Sequence, residues 1–272
     1  AITPAGKDVL AHARRMLAEA GNIRAYAANE RGETQGRLTL VTTHTQARFV
    51  LPPAIAGRPV SSRAPLMRSC SATSEGEVLA QLAGGLADFA VVSTAGELPG
   101  GGLAVPLYRW RRVVLVRAEH ALAGLGRAPT LAELAPLPLV SYESTNKPES
   151  SLRRAFAAAG LEPQMAMTAR DADLVKTYVR AGLGVGVLAE MAVSVREDAD
   201  LRALPAPATI PECTSWAVLP RERVLRDYAL ELLLALAPQL HRSDLKRAVA
   251  GHDSPTWPHP PTWVELSQAI TN

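Results

Sequence analysis

The chain has 272 residues, 47% of them apolar and 4% aromatic, enough for two domains or one large one of a soluble α/β protein. Its 29 basic and 26 acidic side chains leave a net charge of +3; with no Lys/Arg block, no aromatic-interleaved basic stretch and no helix-turn-helix, these residues show no nucleic-acid footprint of their own. No run of about eighteen apolar residues offers a membrane span, and the N-terminus shows no secretory leader, although a mature periplasmic protein would also lack one. Cys70 and Cys213 lie far apart without CxxC spacing, which points to reduced thiols in a cytoplasmic setting and away from a zinc site or disulfide.

In chain order, Thr3-Pro4 reads as a helix start, with Thr3 as N-cap and Pro4 at the first helical position. Residues 7–30 then run helical. Val9, Ala13, Met16, Ala20 and Ile23 recur at alternating steps of four and three, flanked by Leu10 and Leu17. This is a short a/d seam, the pattern of a helix that pairs with another chain; an amphipathic helix packed on its own domain is the alternative. Residues 30–36 form a polar hinge.

From residue 37 strands and helices alternate. Strands are expected near 37–42, 88–93, 111–117, 138–142, 164–168, 185–189 and 214–219. Helices are expected near 75–83, 130–135, 149–159, 171–181 and 224–238. Such alternation predicts a mostly parallel sheet with helices on both faces, whose ligands bind beyond the strand C-termini. Residues 57–76, with three Gly/Pro breaks in nine residues, scattered arginines and five serines, break the pattern, through divergence or a sequence discrepancy. Residues 251–272 carry Pro255, Pro258, Pro260 and Pro261 with Trp257 and Trp263. They read as a tail with a short helix at 263–270, its tryptophans docked on a surface groove.

The most informative stretch runs from Gly36 to Pro52. An apolar strand stops at Thr42, and Thr43, His44, Thr45 and Gln46 present hydroxyl, imidazole, hydroxyl and amide before an apolar helical pattern resumes. Polar groups at a strand-to-helix turn can hold a small anion beside unpartnered backbone N–H groups; the plainer reading makes Thr43 or Thr45 a helix cap. Thr94 likewise ends an apolar strand. A second polar turn, Ser141-Tyr142-Glu143-Ser144-Thr145-Asn146-Lys147-Pro148, follows the strand at 138–142, and facing the first it would complete a two-sided clamp. Thr168 ends the strand at 164–168 and is a weaker candidate.

Other motifs point away from catalysis. There is no GxSxG, HExxH or P-loop, and the six histidines do not cluster, so no catalytic residue, metal ligand or cofactor is assigned. Gly182-Leu183-Gly184-Val185-Gly186 follows a helix and opens a strand, the reverse of a pyrophosphate fingerprint; its glycines read as a helix stop and a tight sheet entry. Asp171 reads as a helix N-cap.

Four segments carry a family resemblance: "TTHTQARF" with its following Leu-Pro, "ADFAVV" at 87–92, "LYRW" at 107–110, and "TARDADLVKTYVRAGLGVGVLAEMAV" at 168–193. They resemble the effector domain of LysR-type transcriptional regulators, in the CysB-like branch that controls sulfur assimilation and cysteine biosynthesis, over roughly residues 1–240. The resemblance implies a two-lobed, periplasmic-binding-protein-like α/β fold behind a long linker helix at 1–30. Residues 37–106 with 214–240 would form one subdomain and 107–213 the other, with 241–272 as a C-terminal tail. It also implies a cytoplasmic homodimer or homotetramer, and promoter DNA bound by a winged helix-turn-helix domain absent from this chain. The cleft would bind a small anionic effector such as sulfate, thiosulfate or an acetylserine.

On the same resemblance, Thr94 helps to bind the anion and Trp110 lies beside it; Trp110 as a hinge-packing residue is the alternative. Lys147 departs from the enteric members, which have a Thr there that touches the anion. A lysine would either add charge for a larger or more acidic ligand, or simply be solvated. A periplasmic-type anion-binding protein of the same architecture is the first rival, and an enzyme using the cleft the second.

Overall fold

The computed structural model describes residues 3–33, 36–56, 66–72, 75–221, 223–251 and 256–271. Helix α1 (Pro4–Glu30) opens as expected: the Thr3 hydroxyl accepts from the Gly6 N–H at 3.1 Å, and Pro4 occupies the first turn, where its missing N–H breaks no bond. Val9, Met16, Leu17, Ile23 and Tyr26 on this helix are between 62% and 74% exposed. A second face anchors it. Asn22 accepts from the Val224 N–H at 2.9 Å, while Asn29 donates to the Leu225 carbonyl at 2.9 Å and accepts from the Asp227 N–H at 3.2 Å. Two asparagines seven residues apart share one helix face, so the C-terminal part of α1 is pinned to the chain just before α7 (Asp227–Leu236).

Two five-stranded sheets follow. The first contains β1 (Arg37–Thr43), β2 (Leu66–Ala72), β3 (Phe89–Thr94), β4 (Leu103–Trp110) and β10 (Cys213–Leu219), in the order β2-β1-β3-β10-β4. The second contains β5 (Arg112–Arg117), β6 (Pro138–Tyr142), β7 (Gln164–Ala169), β8 (Val185–Ala189) and β9 (Leu201–Pro205), in the order β7-β6-β8-β5-β9. Each sheet is mixed rather than mostly parallel. β1 lies parallel to β2 and β3 and β6 parallel to β7 and β8, but β10 and β5 run antiparallel to both of their neighbours. The antiparallel strands lie beside the two passages of the chain between the sheets, at Arg111 and at residues 206–212. Glu212 ties these passages together by pairing with Arg109 at 2.8 Å and Arg111 at 3.3 Å.

Both faces of each sheet are covered, which is why strands such as β8, buried at all five positions, read as unbroken apolar runs. On the first sheet, Leu38, Leu40, Phe89 and Leu107 pack with Leu232, Leu233 and Leu236 of α7. Val78 and Leu82 of α3 (Glu75–Ala83) cover Val41 and Val92 on the other face. On the second sheet, Val175 and Val179 of α6 (Ala172–Arg180) lie on Leu115, Val140 and Leu188. Leu152 and Phe156 of α5 (Ser151–Ala158) lie on Val114, Leu139 and Val187. Under α6, Lys176 and Asp198 form an ion pair at 2.7 Å with side chains only 4% and 3% exposed. Among the described residues no helix is long and apolar enough to cross a membrane.

Three segments bear on the expected boundaries. β4 remains in the first sheet to Trp110, so residues 107–110 do not open the second subdomain. Residues 66–72 of the irregular stretch form β2, paired with β1 at all seven positions; residues 57–65, 73 and 74 lie outside the described residues. The segment 241–272 holds the expected short helix and docks its tryptophans on the first lobe. Leu245 of α8 (Arg242–Val249) and Leu266 of α9 (Trp263–Thr271) are fully buried. The Arg109 N–H donates to the Pro261 carbonyl at 2.8 Å, and Trp257 Nε1 donates to the Ala104 carbonyl at 2.9 Å. The Trp263 ring lies 5.7 Å from that of Tyr108. Pro255 lies outside the described residues.

The 182–186 glycines serve packing. Gly182 ends α6 at φ +76°, and a Cβ on Gly184 would come within 2.3 Å of the Pro138 carbonyl oxygen, so the strand enters the sheet where only glycine fits.

Candidate functional site

Between the lobes lies a cavity of about 450 Å³, bounded by the ends of β1 and β3 on one side and of β6 on the other. Strand C-termini are where open α/β sheets hold ligands. Thr43, His44, Thr45, Gln46, Thr94 and Trp110 line it from the first lobe. Tyr142, Ser144, Thr145 and Lys147 line it from the second.

The first wall starts where β1 ends at Thr43 and the backbone turns helical at His44. Residues Gln46–Val50 form a π turn in which the Leu51 N–H bonds back to the Gln46 carbonyl. Pro52 and Pro53, with no N–H to give, follow at once. Thr45 makes no capping hydrogen bond, so the cap reading does not hold for it; its hydroxyl reaches across the cleft to that of Tyr142, at 3.5 Å. Gln46 is only 2% exposed and its amide is engaged inside the protein. Nε2 donates to Ser93 and Ser215 at 3.2 and 3.3 Å, and Oε1 accepts from the Tyr108 hydroxyl. Burial pushes the Tyr108 phenol up, although its bonds to Ser215 and Gln46 oppose this, so it stays a donor. Trp110 Nε1 joins the network by donating to Ser93 at 3.2 Å. Trp110 is thus packed at the crossover and also lines the cavity. Thr94 is also engaged, donating to the Glu97 carbonyl and accepting from Trp216 Nε1 at 2.9 Å.

The second wall is held by its own turn. The Thr145 hydroxyl donates to the Tyr142 carbonyl at 2.6 Å, and the Thr145 carbonyl accepts from Arg153 Nε at 2.8 Å and the Ser150 hydroxyl at 3.3 Å. The Tyr142 hydroxyl accepts from the Ala189 N–H at 3.2 Å, and burial raises its pKa against the pull of that bond. Ser144 and Lys147 are exposed at the mouth.

Two expected residues lie off the cavity. Ser141 is fully buried and donates to the Val187 carbonyl at 2.7 Å, because strand neighbours point to opposite faces and Tyr142 takes the cavity side. Thr168 accepts from Asn146 Nδ2 at 3.1 Å; it braces the turn from β7. Asp171 caps α6 by accepting from the Leu174 N–H at 2.8 Å, as read. Asp173 instead spans the lobes to Arg48 at 2.6 Å.

Sequence reasoning missed Arg112, Ser151 and Cys213, all in the cavity wall. Arg112 reads as an ordinary residue of the "RWRRVVLV" strand. Its one signal is a third arginine crowded around Trp110. Of the charged lining residues, Arg154 pairs with Glu97 at 3.8 Å and Arg170 with Glu143 at 3.5 Å. Arg112, Lys147 and Glu149 complete the set, so the wall is slightly cationic and rich in hydroxyls. That chemistry suits a small anion.

Residues 31–241 match the LysR substrate binding domain. The chain is similar to the HTH-type transcriptional regulator CysB of Burkholderia cenocepacia, 33% identical over 252 residues, which cover 92% of this chain and 79% of that one. It is similar also to CysB of Haemophilus influenzae, 36% identical over 248 residues, covering 91% and 76%. Its fold resembles the solved cofactor-binding domain of the Cbl transcriptional regulator, with a TM-score of 0.70 at 32% identity over 80% of this chain and 94% of that one. These relatives are regulators, which favours a regulatory role over the periplasmic and enzymatic rivals.

Proposed function

Since the chain belongs to the LysR-type transcriptional regulators, carrying their substrate-binding domain in its CysB/Cbl form, we propose that its interlobe cleft senses a small anion for the control of sulfur assimilation. The effector on this reading is sulfate, thiosulfate or an acetylserine, bound without catalysis. One observation carries it: two polar turns from different lobes, at 43–46 and 142–147, face each other across a single cavity. A ligand that touches both turns favours one relation of the lobes, and only that difference in affinity between states can drive a response. The exposed seam of α1 pairs copies into a homodimer or homotetramer in the cytoplasm, and a winged helix-turn-helix domain outside these residues meets promoter DNA.

Calorimetric titration with sulfate, thiosulfate, O-acetylserine and N-acetylserine tests the cleft. Binding of one of them that weakens in Thr45→Val supports the reading, and binding of none overturns it. Deleting residues 1–30 should lower the sedimentation mass of the assembly by more than the mass removed; unchanged stoichiometry would exclude α1 as the pairing element.

A further inference from the structure

Arg112 opens β5, where the first crossover enters the second lobe, and its guanidinium stands in the cavity wall. It donates to the Ser151 hydroxyl at 2.8 Å, reaches the Pro211 carbonyl at 3.5 Å and Cys213 Sγ at 3.6 Å, and lies 5.6 Å above the Trp110 ring. None of these groups is a carboxylate. The acid closest in sequence to those contacts, Glu212, is shared by Arg109 and Arg111, and the cavity-lining Arg154 and Arg170 have their own glutamates. Among the described residues Arg112 has no acidic partner within ion-pair distance. A guanidinium does not lose its proton in proteins, so its charge stands half-buried against neutral groups only. An anion in the cavity would supply the counter-charge that these neutral groups do not.

The cavity also exceeds what an inorganic oxyanion fills. Its volume of about 450 Å³ falls within the range of about 300–1,000 Å³ that holds drug-sized ligands. Sulfate, with five heavy atoms, would leave most of that space to water. We propose that the cleft takes a small organic oxyanion, its head on the Arg112 fork and its polar tail against the hydroxyls of Thr43, Thr45 and Ser144. This rests on the effector-cleft reading above and makes it specific.

Calorimetry on the full chain with matched probes tests the assignment: glycolate against glycolamide, 4-hydroxybutyrate against 4-hydroxybutyramide, and sulfate. The acids should bind at least tenfold more tightly than their amides. Arg112→Gln should weaken the acids by about 10- to 100-fold, the range for a hydrogen bond to a charged group, and leave the amides unchanged. Arg112→Lys should fall between, since it keeps the charge and loses the fork. Ser151→Asp should erase the acid preference without touching Arg112, by supplying the missing carboxylate. An acid at the first position of α5 suits that helix end, so its melting temperature should not fall. Acids that bind no better than their amides, or that bind Arg112→Gln and Ser151→Asp as tightly as the parent, would overturn the proposal. Sulfate bound by the parent and lost in Thr45→Val, yet indifferent to Arg112→Gln, would remove this proposal and keep the effector cleft. Failure of every anion to bind would remove both.

Discussion

The two walls of the cleft are built on different principles. In the first, the groups nearest the cavity are fixed from behind: Gln46 by Tyr108, Ser93 and Ser215, and Trp110 by Ser93. In the second, a short turn is tied to itself through Thr145, leaving Ser144 and Lys147 exposed. Satisfied buried networks rigidify their surroundings; exposed long side chains are free to adapt. On the proposed reading, the first wall would set the position of a ligand and the second would have the freedom to select its shape.

The largest effect should come from the base of the second lobe. Asp198→Asn breaks the buried pair with Lys176, and loss of one member of such a pair costs about 3–5 kcal/mol, to be read from urea unfolding. Burial alone would raise the Asp198 pKa, but hydrogen bonds from Lys176, the Ser194 N–H and Arg180 hold it below the usual 3.8. Its contribution is therefore complete above that value and lost as pH falls through the lowered one. Asp198→Asn should flatten the acid limb of the stability profile, and an unchanged limb would assign acid unfolding to other carboxylates.

Next comes the first wall. Tyr108→Phe leaves the Gln46 carbonyl oxygen without its donor, at about 1–3 kcal/mol of stability. Because Gln46 opens the π turn, anion affinity should fall too. A loss of stability with unchanged affinity would show that the wall does not need this brace. Thr45→Val should weaken binding by up to about tenfold, taking roughly 0.5–1.5 kcal/mol for a hydrogen bond to the ligand's polar tail, with the melting temperature unchanged. A lower melting temperature at constant affinity would make Thr45 structural only. The smallest effect should be that of Lys147→Ala at the adaptable wall. An exposed charge contributes about 0–1 kcal/mol, so affinity should drop slightly and its salt dependence flatten; equal salt slopes would mean that Lys147 is merely solvated.

What could be read in the residues follows from which contacts are local. β1, β3, β6 and β8 announce themselves because burial on both faces makes them apolar runs, and Asp171 and Thr3 announce their helices because a cap acts within three residues. β2 hides because Arg68, Ser69 and Ser71 lack a strand's usual apolar alternation. α9 is legible as a short helix behind the prolines, but its seat is not, because the Pro260 and Pro261 carbonyls accept from Arg109, remote in sequence. The polar turns were legible as turns, but sequence does not show which groups are already engaged. Gln46 spends its amide on residues 47 and 169 positions away. Nor does the sequence show that Glu212, remote along the chain, pairs with Arg109 and Arg111 and not with Arg112.

The asparagine anchors of α1 turn the helix into a lever. Asn22 and Asn29 bind it to residues 224–227 of the first lobe, so the helix rotates with that lobe. From Asn22 to Pro4 roughly eighteen residues at 1.5 Å each make an arm of about 27 Å, whose tip moves about 2.4 Å for every 5° or so of lobe rotation. Any rotation of the first lobe would thus be read out most strongly at the far end of the helix.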